Sequence, residues 1–335
     1  MKNIIVSFIV LLLTITLGCD NSTELNFTQG EWKLIYKNQT TNYYHGIYFA
    51  DLNNGWVVGD SSKILHTKDG GNSWILQECE ITEYLKCVFF ANTQKGWIGG
   101  GNNSIGTTTN GGVTWTWQHP SGESRRTFMA MSFINDHIGW IVDNYGGILH
   151  TKDGGITWIQ QNSGTSWAIT AVQFLDNNEG WATATNRVVL HTTNGGNNWT
   201  VSILDNLDYN GATIIYEDIY FYDHSRGWIA TNAGASSIAY PHAPIIHTSN
   251  NGRTWNCIST TNQTKCITSI QFINENLGWA ASENGILYTN NGGESWFYQF
   301  ENNNNDDIFI DICFIDQAYG WALTFRGDVF KYRVL

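Results

Sequence analysis

The sequence predicts an all-β fold: one seven-bladed β-propeller, four antiparallel strands per blade, with the ring closed by its N-terminal strand. Three observations carry that expectation. A Gly-Trp pair followed by small or β-branched residues occurs seven times, at Trp56, Trp97, Trp140, Trp181, Trp228, Trp279 and Trp321. A second motif, Thr-x-(Asp/Asn)-x-Gly-x-(Ser/Thr/Asn)-Trp, follows the first six, ending at Trp74, Trp115, Trp158, Trp199, Trp255 and Trp296. The seventh pair lacks this second motif. Its missing close stands at the other end of the chain, in Gly30-Glu31-Trp32-Lys33-Leu34-Ile35.

The spacing from first to second Trp is 18, 18, 18, 18, 27 and 17 residues, and with Trp32 the motifs absorb all but Trp117 and Trp167 of the sixteen tryptophans. Self-similarity at a period of about 41 residues is the mark of a repeat fold. Each unit holds four short strand signals, clearest in the third. Met129–Ile134 alternates and reads as inner strand A, Gly139–Val142 as strand B, Gly147–Thr151 as strand C and Thr157–Gln160 as strand D, with Asp153-Gly154-Gly155 turning between C and D. A lone four-stranded sheet cannot cover both its faces, so the blades must stack, with Trp rings expected in the wedges between them. The chain ends on strand C of blade 7, Asp328–Leu335, which Gly30–Ile35 should complete as strand D.

Composition narrows the function. The chain is 42% hydrophobic and 14% charged, with 34 Gly against 3 Pro, as expected of many tight turns around a large core. A net charge of −12 excludes a nucleic-acid partner, because phosphate backbones require basic surfaces. Residues 1–18 read as a signal peptide: Lys2, then an apolar run from Ile4 to Leu17, too short to span a bilayer comfortably. Thr16-Leu17-Gly18-Cys19-Asp20 resembles the lipobox of bacterial lipoproteins, which implies lipidation of Cys19. Residues 19–29 then form the lipidated Cys and a polar tether, and 30–335 the propeller. A monomer at the outer membrane or facing the periplasm is expected.

The Asp/Asn-Gly-Gly turns resemble the Asp-box, or bacterial neuraminidase repeat. The whole unit, Gly-Trp-x-x-x … Ile-Leu-x-Thr-x-Asp-Gly-Gly-x-x-Trp, resembles more closely the photosystem II stability and assembly-factor propellers, over residues 30–335. The resemblance implies a non-enzymatic scaffold that binds a partner, a protein or a glycan, without a cofactor. The alternative is a sialidase-like or other glycoside hydrolase or lyase working in the propeller centre. Arg126, Arg187 and Arg326 fall in loops of one face, as a carboxylate-binding triad would. Against this, the Arg-Ile-Pro signature of sialidases is absent and no Tyr–Glu pair stands out.

Most conspicuous residues have structural readings. Asp69, Asn110, Asp153, Asn194, Asn250 and Asn291 should bond backbone amides within their turns, since several are amides where catalysis would need a carboxylate. His66, His150, His191 and His247 recur at one strand-C position, too far apart around a ring to share a metal, and no metal site is expected. Cys79 with Cys87, and Cys257 with Cys266, flank crossovers between blades and are candidate disulfides in an exported protein, while Cys313 is expected as a buried thiol. The repeat breaks in blade 5. Nine extra residues lie between its strands B and C, within Asn232–Pro244, and the crossover leading into it carries Asp208, Tyr209 and Asn210. The loops joining B to C and D to the next A share one face of a propeller. A partner-binding surface is therefore expected there, built from Trp167, Tyr209, Tyr240, His242, Arg125, Arg126, Arg187 and Arg326.

Overall fold

A computed structural model describes residues 30–77, 79–120, 126–205, 207, 214–233, 245–258, 260, 264, 266–302 and 307–334. Cys19 with the rest of 1–29, Arg125, Tyr209, Tyr240 and His242 lie outside the described residues. The described strands form seven antiparallel four-stranded sheets. Strands A line the centre: Tyr44–Phe49, Leu85–Phe90, Phe128–Phe133, Ile169–Phe174, Ile215–Phe221, Ile267–Phe272 and Phe309–Phe314. Blade 7 is completed from the N-terminus. Its fourth strand is Gly30–Tyr36, paired antiparallel with Val329–Val334, with Trp32 opposite Tyr332 and Gly30 opposite Val334.

The seven Gly-Trp tryptophans fill the wedges between blades, none more than 3% exposed. Each stacks on the Phe that ends strand A of the next blade: Trp56 on Phe90, Trp97 on Phe133, Trp140 on Phe174, Trp181 on Phe221, Trp228 on Phe272, Trp279 on Phe314 and Trp321 on Phe49. In five blades the indole N–H also donates to a carbonyl of the next blade's Asp-box, at 3.0–3.2 Å. The repeat is thus a latch in which the first motif of one blade grips the second motif of its neighbour.

Both departures from this latch follow from the sequence. Blade 7 has no Asp-box, so Trp279 donates instead to Gln299 Oε1 at 2.9 Å. Blade 5's box reads Asn250-Asn251-Gly252, and Trp181 Nε1 finds no partner among the described residues. The second glycine of the regular turn is dictated by this close approach. Gly155 adopts φ +86°, and a Cβ there would come within 2.8 Å of Trp97 Nε1. Strand D of blade 3 begins later than expected, at Ile159, because the box holds Thr157: its N–H bonds Asp153 Oδ1 at 2.9 Å and its hydroxyl bonds Asp153 Oδ2 at 2.5 Å.

The repeated histidines are structural, as expected. His66, His150, His191 and His247 lie against the other face of the Gly-Trp indole of their own blade, at centroid distances of 4.6, 4.5, 3.7 and 5.1 Å. The disulfide expectation is corrected. Cys79, Cys87, Cys257 and Cys266 are thiols, and neither bridge forms. Cys87 is buried in strand A, its Sγ against the Gly99 and Phe128 carbonyls, so it packs into the ring rather than reaching the crossover that holds Cys79. Cys266 immediately precedes strand A of blade 6, where burial pushes its thiol up to about 12, whereas Cys257 is exposed on strand D. Cys313 is the buried thiol expected.

Candidate functional site

Two places could meet a ligand: the face carrying the B–C and D–A loops, and the central channel that opens onto it. The strand registers place these loops together. Phe128, at the start of strand A, pairs with Asp143, at the end of strand B, and the same holds in every blade. Trp167 stands on this face, half exposed, on the crossover from blade 3 to blade 4. Three more exposed aromatics accompany it that sequence reasoning missed: Tyr43 and Tyr84 on crossovers and Tyr145 on a B–C turn. Tyr43 stacks on Phe325 at 4.4 Å, and Tyr84 shares a 2.6 Å hydrogen bond with Thr127. The signal was available, since all three occupy loop positions outside the motif, but their spacing has no period to detect.

The arginines do not assemble into a triad. Arg126 Nη1 bonds the buried Asp143 carboxylate at 2.7 Å, and Arg187 Nη2 pairs with Asp205 at 2.9 Å. Arg326 is exposed, with its backbone N–H on Asp307 Oδ1 at 3.0 Å and its carbonyl accepting from Asn38. The Arg126 and Arg187 guanidiniums are thus each bonded to a carboxylate of their own blade. Arg126 nevertheless contributes to a cavity of about 410 Å³ with Tyr145, Gln161, Ser163 and Thr165, close in sequence to Trp167.

The channel is a cavity of about 560 Å³ walled by strands A. Every strand A carries a register irregularity after its first residue, or its second in blade 5, leaving one residue between the paired positions. Such bulges re-aim side chains. The residues so placed, His45, Lys86, Met129, Thr170, Glu217, Thr268 and Ile310, all line the channel. The next position is small or apolar in four blades, Ser269 in blade 6, and a carboxylate in blades 5 and 7.

Those carboxylates, Asp218 and Asp311, are braces between blades. Asp218 accepts from Ile219 N at 2.8 Å and, across to blade 6, from Ile270 N at 3.0 Å. Asp311 accepts from Ile312 N at 2.9 Å and, across to blade 1, from Ile47 N at 2.9 Å, with Ser269 Oγ donating to it at 3.1 Å. Burial pushes their carboxyls up, to about 6 for Asp218 and about 7 for Asp311. Both oxygens of each are engaged with the chain.

A pH dependence follows. A folded-state pKa above that of the unfolded chain means stability that is complete below about pH 4 and lost as pH rises through 6–7. Asp311→Asn is therefore expected to raise the melting temperature more at pH 8 than at pH 4.5, in thermal melts at both values. The buried imidazoles act oppositely. Burial lowers His66 and His150 to about 4, so their contribution is present above pH 6.5 and lost as pH falls towards 4. A variant whose gain is the same at both pH values would show that Asp311 does not carry the slope.

Comparison with known proteins bears on which place matters. A family model described as "Photosynthesis system II assembly factor YCF48" matches residues 25–118, 75–167 and 116–256, together well over half of the chain. Among solved structures, "YCF48 bound to D1 peptide" is 20% identical with a TM-score of 0.71, covering 92% of this chain and 98% of that one. YCF48 from Cyanidioschyzon merolae is 19% identical with a TM-score of 0.69, covering 90% and 98%. A catalytically inactive virginiamycin B lyase from Staphylococcus aureus, with quinupristin, is 15% identical with a TM-score of 0.71, covering 91% and 100%. At such identities the structural likenesses speak for the fold alone. No curated protein matches the chain. On the extent of the family match, the chain belongs to the family of the photosynthesis system II assembly factor YCF48.

Proposed function

We propose that this protein is a non-catalytic assembly scaffold at the cell envelope, anchored through a lipidated Cys19, whose loop face captures a segment of a partner protein. One observation carries the reading. The exposed aromatics Tyr43, Tyr84, Tyr145 and Trp167 gather on the loop face, whereas the channel carboxylates are already bonded to the ring. Rigid aromatics on loops held by a stable scaffold are the usual anchors of protein recognition. Family membership and a relative described as bound to a D1 peptide support a protein partner over a glycan.

The test is affinity capture from the source organism's envelope, followed by titration of the captured partner. Trp167→Ala with Tyr145→Ala is expected to weaken binding by about 2 kcal/mol or more, as for anchor residues. Asn197→Ala and Glu294→Ala, on turns of the opposite face, should leave it unchanged. Capture that survives the aromatic changes and fails with the turn changes would place the partner on the other face. The second reading, a hydrolase or lyase, draws on Asp218 and Asp311, two carboxyls that burial beside the channel raises to about 6 and about 7. Turnover abolished by Asp218→Asn in a folded protein would favour it.

A further inference from the structure

The face opposite the aromatic loops is where the chain enters the ring. Gly30 pairs with Val334, whose N–H bonds the carbonyl of Ala318 in the A–B loop of blade 7 at 3.4 Å. At the other end of that strand, Lys37 and Asn38 bond Asp328 near the start of strand C. Gly30, where the described chain begins, therefore lies at the Asp-box face. Ten residues lie between Cys19 and Gly30, eleven steps along the chain and a reach of at most roughly 38 Å fully extended.

The same face changes character around the ring. The residue after Gly-Gly in the Asp-box is Asn72, Asn197, Arg253 or Glu294 in blades 1, 4, 5 and 6, but Val113 and Ile156 in blades 2 and 3. These two are 69% and 72% exposed. The third residue of the A–B loop is Thr93, Asp136, Asn177, His224, Glu275 or Gln317 elsewhere, but exposed Leu52 in blade 1. Lys68 and Lys152 stand exposed beside these apolar tips, while Lys95 is half-buried, its ammonium over the Trp97 ring at 5.2 Å. The acidic neighbours are partly engaged within their own turns. Asp51 accepts from the N–H groups of Asn53 and Asn54, Asp69 from Ser73, Asp153 from Thr157, and Asp136 contacts His137. Blades 4–6 carry Asp176, Glu179, Asp223, Glu275 and Glu294 on this side against Arg226 and Arg253.

We propose that the Asp-box face of blades 1–3, Leu52, Val113 and Ile156 framed by Lys68 and Lys152, rests on the bilayer surface that holds Cys19. This rests on the lipid-anchor reading above. The short tether keeps this face within reach of the headgroups. The apolar tips enter the interface while the lysines meet lipid phosphates. The acidic sector of blades 4–6 lifts away, and the aromatic loop face points towards the aqueous side, open to a partner.

The test uses the full chain, purified after expression in a bacterial host and reconstituted into vesicles of phosphatidylethanolamine and phosphatidylglycerol. In a Cys257→Ser background, Val113→Cys, Ile156→Cys and Trp167→Cys are each labelled with a fluorophore and exposed to spin-labelled lipid. Quenching at 113 and 156 is expected to exceed that at 167 by at least about two-fold, as for residues at an interface against residues in water. Mass spectrometry of the N-terminus is read on the same samples. A lipidated Cys19 with equal quenching at all three sites, or stronger quenching at 167, overturns the orientation and leaves the anchor standing. An unmodified Cys19 with quenching at 113 and 156 refutes the anchor but supports the surface. An unmodified Cys19 without quenching overturns both. Mutual quenching between labels at position 156 of different copies, independent of lipid, would identify the face as a self-association surface and overturn the proposal.

Discussion

Trp140→Ala is expected to cost about 3–5 kcal/mol of unfolding free energy, measured by denaturant titration, because a fully buried Trp is removed from a wedge that cannot collapse. The indole lies between Phe174 of blade 4, at 3.4 Å and 4°, and His150 of its own blade, at 4.5 Å and 2°. Its loss takes away both contacts and leaves a void bounded by two rigid sheets. The hydrogen bond is the smaller part of the effect, because Gly195 O also accepts from Gln161 Nε2 at 2.8 Å and stays satisfied. Blade 4 supplies an internal control. Trp181 stacks on Phe221 at the longer distance of 4.6 Å, and its N–H has no partner among the described residues. Trp181→Phe should therefore cost less than Trp140→Phe, since Trp181 has neither the close Phe stack nor the latch bond, and the reverse order would refute both as sources of the stability.

Deleting residues 20–36 is expected to destroy the monomeric fold or drive it into aggregates, seen by size-exclusion chromatography and light scattering. Strand Gly30–Tyr36 covers the outer edge of Val329–Val334, and without it blade 7 presents a row of unpaired amides and carbonyls. The strand also brings Trp32, 8% exposed and packed edge-on to Phe314 at 5.7 Å, with its indole N–H on Gln299 Oε1 of blade 6 at 2.9 Å. Closure thus links the end of the chain to its beginning and blade 7 to blade 6. A truncated protein that melts at the full-length temperature would refute it.

The sequence by itself determined the number of blades, the closing strand and the structural role of the Asp-boxes and repeated histidines. Each of these is written as a period or a complementary fragment, and the physical reason is local. The box Asp or Asn bonds amides within four residues of itself, and the Trp and its stacking His sit on neighbouring strands of one blade. What only the tertiary structure decided involves residues brought together from different blades. Asp218, Ser269 and Asp311 belong to blades 5, 6 and 7, and nothing in their separate strands announces that they meet around one channel. The Cys87 side chain faces the ring interior because the bulge in its strand sets the direction of each following residue, which spacing to Cys79 could not disclose. Arg126 looked available for recognition until Asp143, seventeen residues on, proved to take its charge. Local bonding leaves a signature along the chain; contacts across blades depend on the ring's geometry, and that arises only when all seven sheets close together.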